Sequence, residues 1–561
     1  MAKQGFGRSS ALIAAGTLTS RVLGLMRQML LVYAIGSLGF VANSYSAATR
    51  IPGLVYSLVI TGALTAVLVP QITKAALAKD RGQAYIQKLI TLSLVVGSAL
   101  TLLTALISPL IVRLLTPDWS AEHRGLALAF ALWLAPQVLF FVLYTVAGEV
   151  LNAKSVFGPY TWAPVLNNVI HISALLLFIY FFGADPNGER VFGSTDFAPQ
   201  FLIAGAASLG VAAQAIVLLF AFKRAGIKMQ LDFKWRGFGL GEIGRVASWT
   251  LASMVATQIT GIYQGIAMNR AQSGEAGLAA VELATLILSL PHATIVVSLV
   301  MASFTSMSEK VQNGDEHGYR MQLRRAFSLT VLITAPIIAI FALLSFPISR
   351  VLQPTADSAV VGSVAIVLLA LSISQLPYSL VFVLNRGFFA RSNTKTPFLL
   401  NVLHTSVIII LVSFTFAFET ADAAWLACLA VSLGYILFYA LTHLTLKRHI
   451  GAVLDAETLK DSLRALFATA AAILLALLLM ARYVIPDSVS VLGITLQLDR
   501  LITPLALPNV IGSELNFVGS ILICVVVGIL TLALYVLFLI ISGHSATLAL
   551  RKKLTHRQSR P

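Results

Sequence analysis

The stretch FVGSILICVVVGILTLALYVLFLIIS, residues 517–542, carries no charge, and apart from the Cys524 thiol its only polar side chains are Ser520, Thr531, Tyr535 and Ser542. A helix rises about 1.5 Å per residue, so this run is long enough to cross a hydrocarbon core of about 30 Å. Working outward from it, runs of the same kind fall near residues 10–35, 42–69, 89–112, 126–151, 161–183, 200–222, 246–268, 280–306, 326–347, 359–386, 398–418, 423–445 and 463–485. Strands of a membrane barrel would read as short alternating segments instead. The pattern predicts an all-α polytopic membrane protein with about fourteen spans, and the first run reads as span one, not as a signal peptide.

Composition agrees. Of 561 residues, 58% are hydrophobic and 11% charged, more apolar surface than a water-exposed fold can hide. No loop is long enough for a soluble catalytic domain, and no metalloprotease, nucleophile-elbow, phosphate-loop or paired-carboxylate motif occurs, so no catalytic residue, metal or cofactor is expected. Cys428 and Cys524 both lie in apolar runs and read as small buried hydrophobes. The net charge of +16 does not point to nucleic acid, because no basic stretch is interleaved with aromatics as a binding module.

Its placement points to the membrane surface. One set of loops holds Lys74/Lys79/Arg81/Lys88, Lys223/Arg224/Lys228/Lys234/Arg236/Arg245, Arg320/Arg324/Arg325, Arg386/Arg391/Lys395, Lys447/Arg448 and the tail from Arg551. The other set is short or acidic. The positive-inside bias places both termini in the cytoplasm of a bacterial inner membrane, with anionic phospholipids as partners of the basic loops.

Three cations remain inside spans: Arg21, Arg27 and Arg50. At about 100° per residue, Thr17, Ser20, Arg21, Gly24, Arg27 and Gln28 share one face of the first span, and Asn43, Ser46, Arg50, Gly53, Ser57 and Thr61 share one face of the second. A central Arg costs about 2.5–3.5 kcal/mol on insertion scales, so such residues usually face an interior, hydrated surface. No Asp or Glu occurs between Met1 and Lys79 to pair with them. Architectural pairing with later acids is one reading. An anionic ligand bound by guanidinium forks is the other, and the missing acids favour it. His171, His292, His404 and His443 each stand alone and read as packing residues, while Pro136, Pro159, Pro164, Pro291, Pro336 and Pro377 are candidate bend points.

Several blocks resemble the MviN/MurJ family of lipid II flippases. Thr19-Ser20-Arg21-Val22-Leu23-Gly24-Leu25-Met26-Arg27 is similar to the family's Ser-Arg-x-x-Gly-x-x-Arg signature, Arg50-Ile51-Pro52 to its basic-x-Pro element, and Gly62-Ala63 through Pro70 to the continuation. Leu151-Asn152-Ala153-Lys154-Ser155-Val156-Phe157 with Pro164 and Asn168, and Arg386-Gly387-Phe388-Phe389-Ala390-Arg391 with Thr394-Lys395-Thr396-Pro397, resemble later blocks in the same order.

The resemblance implies two six-helix lobes, 1–224 and 246–447, around a central cavity and joined by a cytoplasmic basic linker, 225–245. Residues 448–561 would supply two further helices beside a lipid-tail groove, then a basic cytoplasmic tail. It implies lipid II, the undecaprenyl-diphosphate-linked peptidoglycan precursor, as substrate, moved to the periplasmic leaflet by alternating access, with Arg21, Arg27 and Arg50 on the diphosphate.

Thr17, Ser20, Gly24, Gln28, Asn43, Ser46, Ser57 and Thr61 would line the cavity, and Arg270 its outer mouth. Gln28, Asn43 and Thr61 are neutral where many members carry acids, and Leu286 stands where others carry an Arg. The seventh and eleventh spans lack Asp and Glu, so a sodium site of the type some members use is expected to be absent and coupling falls to membrane potential or an unidentified ion. Cell-wall synthases are possible partners. The rival readings are a carrier of another prenyl-diphosphate glycan, a multidrug exporter of the same superfamily, and a non-transporting scaffold for cell-wall synthesis.

Overall fold

In the computed structural model the described residues are 2–59, 82–154, 156, 158–234, 240–271, 274–451, 454–484, 488–491, 494–497, 516–545 and 547. The chain divides into two compact units, Met1–Gly274 and Glu275–Pro561. The first contains α1 (Ala2–Ile35), α2 (Phe40–Val59), α3 (Gln83–Leu115), α4 (Ala121–Asn152), α5 (Gly158–Phe182), α6 (Phe197–Arg224) and α7 (Leu240–Met268). The second contains α8 (Leu278–Gln312), α9 (Glu316–Leu352), α10 (Ser358–Ala390), α11 (Lys395–Phe414), α12 (Ala423–Ile450), α13 (Ala456–Val484) and α14 (Phe517–Ser542).

The protein is an integral membrane protein. Among the described residues, eleven helices are long and apolar enough to cross a membrane. At the expected second, seventh and thirteenth spans the chain is helical in α2, α7 and α13, but these are not among the eleven. A two-stranded antiparallel hairpin, β1 (Ser488–Val491) with β2 (Ile494–Gln497), follows α13 in register Ser488↔Gln497. Sequence reading missed it, because strands of four residues give too little alternation to stand out against long apolar runs.

Prolines set where the long helices bend. A Pro ring removes an N–H and clashes with the carbonyl four residues back. In α4 the helix breaks at Ala135–Pro136, and in α10 it turns at Ile373–Ser374, four and three residues before Pro377. The hydroxyl of Ser374 donates to the Leu371 carbonyl at 2.6 Å there, reclaiming an acceptor. In α8 a π-turn over His292–Val296 follows Pro291, and Thr294 donates to the Leu290 carbonyl at 2.6 Å. The bend in α9 lies at Leu344 (φ −109°, ψ 16°), three residues before Pro347 and well past Pro336.

Within the first unit, one core gathers Leu89, Val146, Val150, Leu218 and Phe222 from α3, α4 and α6. The α1–α2 turn is fixed by backbone against backbone. Gly188 has φ +75°, and a Cβ there would stand 1.9 Å from the Leu38 carbonyl oxygen. The Asp185 N–H donates to the Tyr33 carbonyl at 3.1 Å, closing the same contact.

Within the second unit, His292 and His404 do not stand alone as the sequence suggested. His292 packs on Tyr378 at 4.4 Å between ring centroids, Tyr378 on Tyr435 at 5.3 Å, and Tyr435 on His404 at 4.7 Å. The rings join α8, α10, α12 and α11 in one cluster with both imidazoles buried, and His292 Nδ1 lies 2.9 Å from the Ser379 hydroxyl.

Candidate functional site

The first unit carries all three membrane arginines. On α1, the apolar residues Leu18, Val22 and Met26 are exposed at 65%, 50% and 53%, one helical stripe that no protein covers. Thr17 and Arg21 are exposed beside it, while Ser20, Gly24, Arg27 and Gln28 are half-buried. This half-buried face meets α5. The Asn168 side-chain amide donates to the Ser20 carbonyl at 3.0 Å, and the same amide lies 3.8 Å from where a Cβ of Gly24 would be. One turn on along α5 lies His171, whose Nε2 sits 3.0 Å from the Ile203 carbonyl and whose buried Nδ1 has no hydrogen-bond partner among the described residues. Among the described residues, neither Arg21 nor Arg27 forms an ion pair.

Arg50 is held differently. Its Nη1 donates to the Gly261 carbonyl of α7 at 3.0 Å, and the same nitrogen lies 3.0 Å from where a Cβ of Gly265 would be. Four residues along α2, Gln258 of α7 donates to the Leu54 carbonyl at 3.4 Å and to the Ser57 hydroxyl. Positions 50, 54 and 57 therefore dock on 258, 261 and 265, two faces of matching helical period. The glycines let the guanidinium lie against the α7 backbone, as small residues do at close helix contacts in membranes. Sequence reading passed over Gln258, Gly261 and Gly265, although Gly-x-x-x-Gly in an apolar run was a usable signal.

The remaining candidates spread over the same unit. Asn43 and Ser46 are buried on α2, and the Ser46 carbonyl accepts from the Thr49 hydroxyl at 2.9 Å. Thr61 lies outside the described residues. Arg270 is half-buried in the turn after α7, next to Asn269, whose amide donates to the Leu115 carbonyl at 3.1 Å and whose own carbonyl accepts from the Trp119 indole at 2.6 Å. That pair of bonds ties the end of α7 to the end of α3. Among the described residues no group of His, Cys, Asp or Glu could hold a metal.

A family profile described as Lipid II flippase MurJ matches residues 31–495. That span includes Arg50 and begins after Arg21 and Arg27. The chain is 27% identical over 396 residues, 69% of this chain and 71% of the relative, to a protein of Rhizobium tropici named "Probable lipid II flippase MurJ". It is 25% identical over 406 residues, 70% and 74% of the two chains, to "Lipid II flippase MurJ" of Burkholderia cenocepacia.

Among solved structures, "Lipid II flippase MurJ, inward closed conformation" superposes with a TM-score of 0.69 at 20% identity, covering 94% of this chain and all of that one. An inward-facing multidrug transporter of the MATE family, in the MOP superfamily, superposes with a TM-score of 0.63 at 16% identity over 77% of this chain and 95% of that one. The two structures share a fold with this chain.

Proposed function

The chain belongs to the lipid II flippase MurJ family, and from that premise we propose how it handles its substrate: the guanidinium groups of Arg21, Arg27 and Arg50 grip the diphosphate of the prenyl-linked precursor. The observation that carries this reading is the cationic face of α1. Arg21 and Arg27 sit six residues apart with no ion pair among the described residues, on a helix whose Ser20 carbonyl accepts from the neutral amide of Asn168. A guanidinium at membrane depth without a protein carboxylate is suited to a ligand that brings the negative charge, and its planar fork matches phosphate oxygens bidentately.

Arg50 gives one N–H to Gly261 and has further donors on the same fork. Fixing it to α7 makes its position depend on the α2–α7 contact. Transport then proceeds by alternating access. The diphosphate is bound while the arginines converge and released as they separate, because a multivalent clamp loses affinity when its parts move apart.

The basic loops orient both termini to the cytoplasm of the inner membrane, which sets the direction of travel from cytoplasmic to periplasmic leaflet. Coupling draws on the membrane potential, worth about 2.3 kcal/mol per charge per 100 mV. Substituting Arg21→Ala or Arg27→Ala is expected to abolish complementation in a strain depleted of its own flippase, with the precursor accumulating on the cytoplasmic leaflet. Normal growth at wild-type protein levels would overturn the assignment. Transport in proteoliposomes that is unchanged when the imposed potential is collapsed would overturn the coupling.

A further inference from the structure

Where α6 ends, the chain turns at Gly226 and runs without helix from Ile227 to Lys234 across the first two turns of α3. Its backbone is strapped down. The side-chain amides of Gln83 and Gln87 both donate to the Lys228 carbonyl, and the Asp232 N–H donates to the Thr91 hydroxyl at 2.9 Å. Beneath the strap lies a pocket of about 180 Å³ lined by Ile86, Ile90, Phe222, Ile227, Met229 and Leu231, with Gln87, Lys228 and Gln230 at its polar edge.

Two features need explaining. Met229, Leu231 and Phe233 are exposed at 49%, 62% and 59%, although they sit in a segment whose other residues are Lys228, Gln230, Asp232 and Lys234. Around them Lys223, Arg224, Lys228 and Lys234 are all exposed, against one acid, Asp232, which is half-buried and accepts from the Lys234 N–H at 2.9 Å. The place is also particular. The pocket residues belong to the first turns of one membrane span and the last turn of another, which is the height at which headgroups meet acyl chains.

We propose that residues 223–234 with the start of α3 form a binding site for one anionic phospholipid, its acyl chain entering the pocket past Met229 and Leu231 and its headgroup lying against Lys223, Arg224, Lys228 and Lys234. Apolar lining alone would suit any hydrophobic occupant. The ring of cations selects a lipid whose headgroup is negative, since a basic residue at such a surface favours an anionic lipid by about 1 kcal/mol, close to fivefold. None of the residues lining the pocket belongs to α1 or α2.

The test uses the full-length protein in nanodiscs of mixed phosphatidylcholine and phosphatidylglycerol, with a photoactivatable group on the acyl chain of one lipid at a time. Phosphatidylglycerol is expected to label peptides containing Phe222, Met229 or Ile90 in preference to phosphatidylcholine. K228Q, which keeps the carbonyl that anchors the strap, is expected to lower phosphatidylglycerol labelling about fivefold and leave phosphatidylcholine labelling unchanged. L231N is expected to lower both. Labelling of these peptides that is absent, equal for the two lipids, or unaffected by K228Q would overturn the proposal, as would capture of another protein segment in place of lipid. Retention of the wild-type elution volume by both variants shows that a loss of labelling is not a loss of fold.

Discussion

The two units place their charges differently. In the second, the described ion pairs lie at helix ends or within the first three turns of a helix: Lys310 with Asp315 at 3.1 Å, Arg324 with Asp455 at 2.8 Å, Arg391 with Glu316 at 2.9 Å and Arg464 with Asp461 at 3.1 Å. Its buried polar groups include the His292 and His404 imidazoles and one guanidinium, that of Arg350, which donates to the Ala356 carbonyl and the Ser358 hydroxyl. In the first, Arg21, Arg27 and Arg50 lie within the helices themselves, and the Arg50 guanidinium donates to the Gly261 carbonyl. A cation that is already ion-paired stabilises an architecture, whereas Arg21 and Arg27, with no ion pair among the described residues, are suited to a ligand that brings the negative charge.

The largest expected effect tests the rigidity of the first unit. Gly188→Ala forces a side chain into a left-handed backbone and against the Leu38 carbonyl, and is expected to destabilise the protein by about 3 kcal/mol or more. A lower thermal midpoint in detergent would show it, and an unchanged midpoint would mean that the α1–α2 turn and the 183–196 loop are not locked together.

A smaller effect probes the Arg50 seam. Gly265→Val crowds Arg50 and the Leu115 side chain, and is expected to cost about 1–3 kcal/mol. It should also reduce flipping more than stability alone explains. Full activity in this variant would separate Arg50 from the transport site and break the contrast between the units.

The smallest effect lies in the second unit. Asp455 accepts from the Thr458 N–H at 2.9 Å and pairs with Arg324, and its carboxyl is held below the usual carboxylate range first by the bonds from Thr458 and then by the Arg324 charge. Its stabilisation is present above the unfolded pKa and is lost as pH falls through the lower folded value. Asp455→Ala is expected to cost about 1 kcal/mol at neutral pH as a lost helix cap, and less in acid, while transport continues. Equal costs at pH 7 and in acid would refute the ionised cap.

Much of this protein was readable along the chain. Hydropathy over about twenty residues is a local property, so eleven of the expected spans recur as helices long and apolar enough to cross a membrane among the described residues, and the absence of acids before Asp80 is a fact of the sequence alone. The family blocks gave the same fold that the structural comparisons show. The short hairpin after α13 escaped because its signal is only four residues long on each side.

Helical period could place Arg21 and Arg27 on one face of α1, and Arg50 and Ser57 on one face of α2. It could not say which helix each face meets. Only the tertiary structure assigned the α1 face to Asn168 of α5, and Arg50 to Gly261 of α7, more than two hundred residues away in sequence. A helix fixes its own faces through backbone geometry, but its neighbours are chosen by the packing of the whole unit, and no stretch of sequence carries that information by itself.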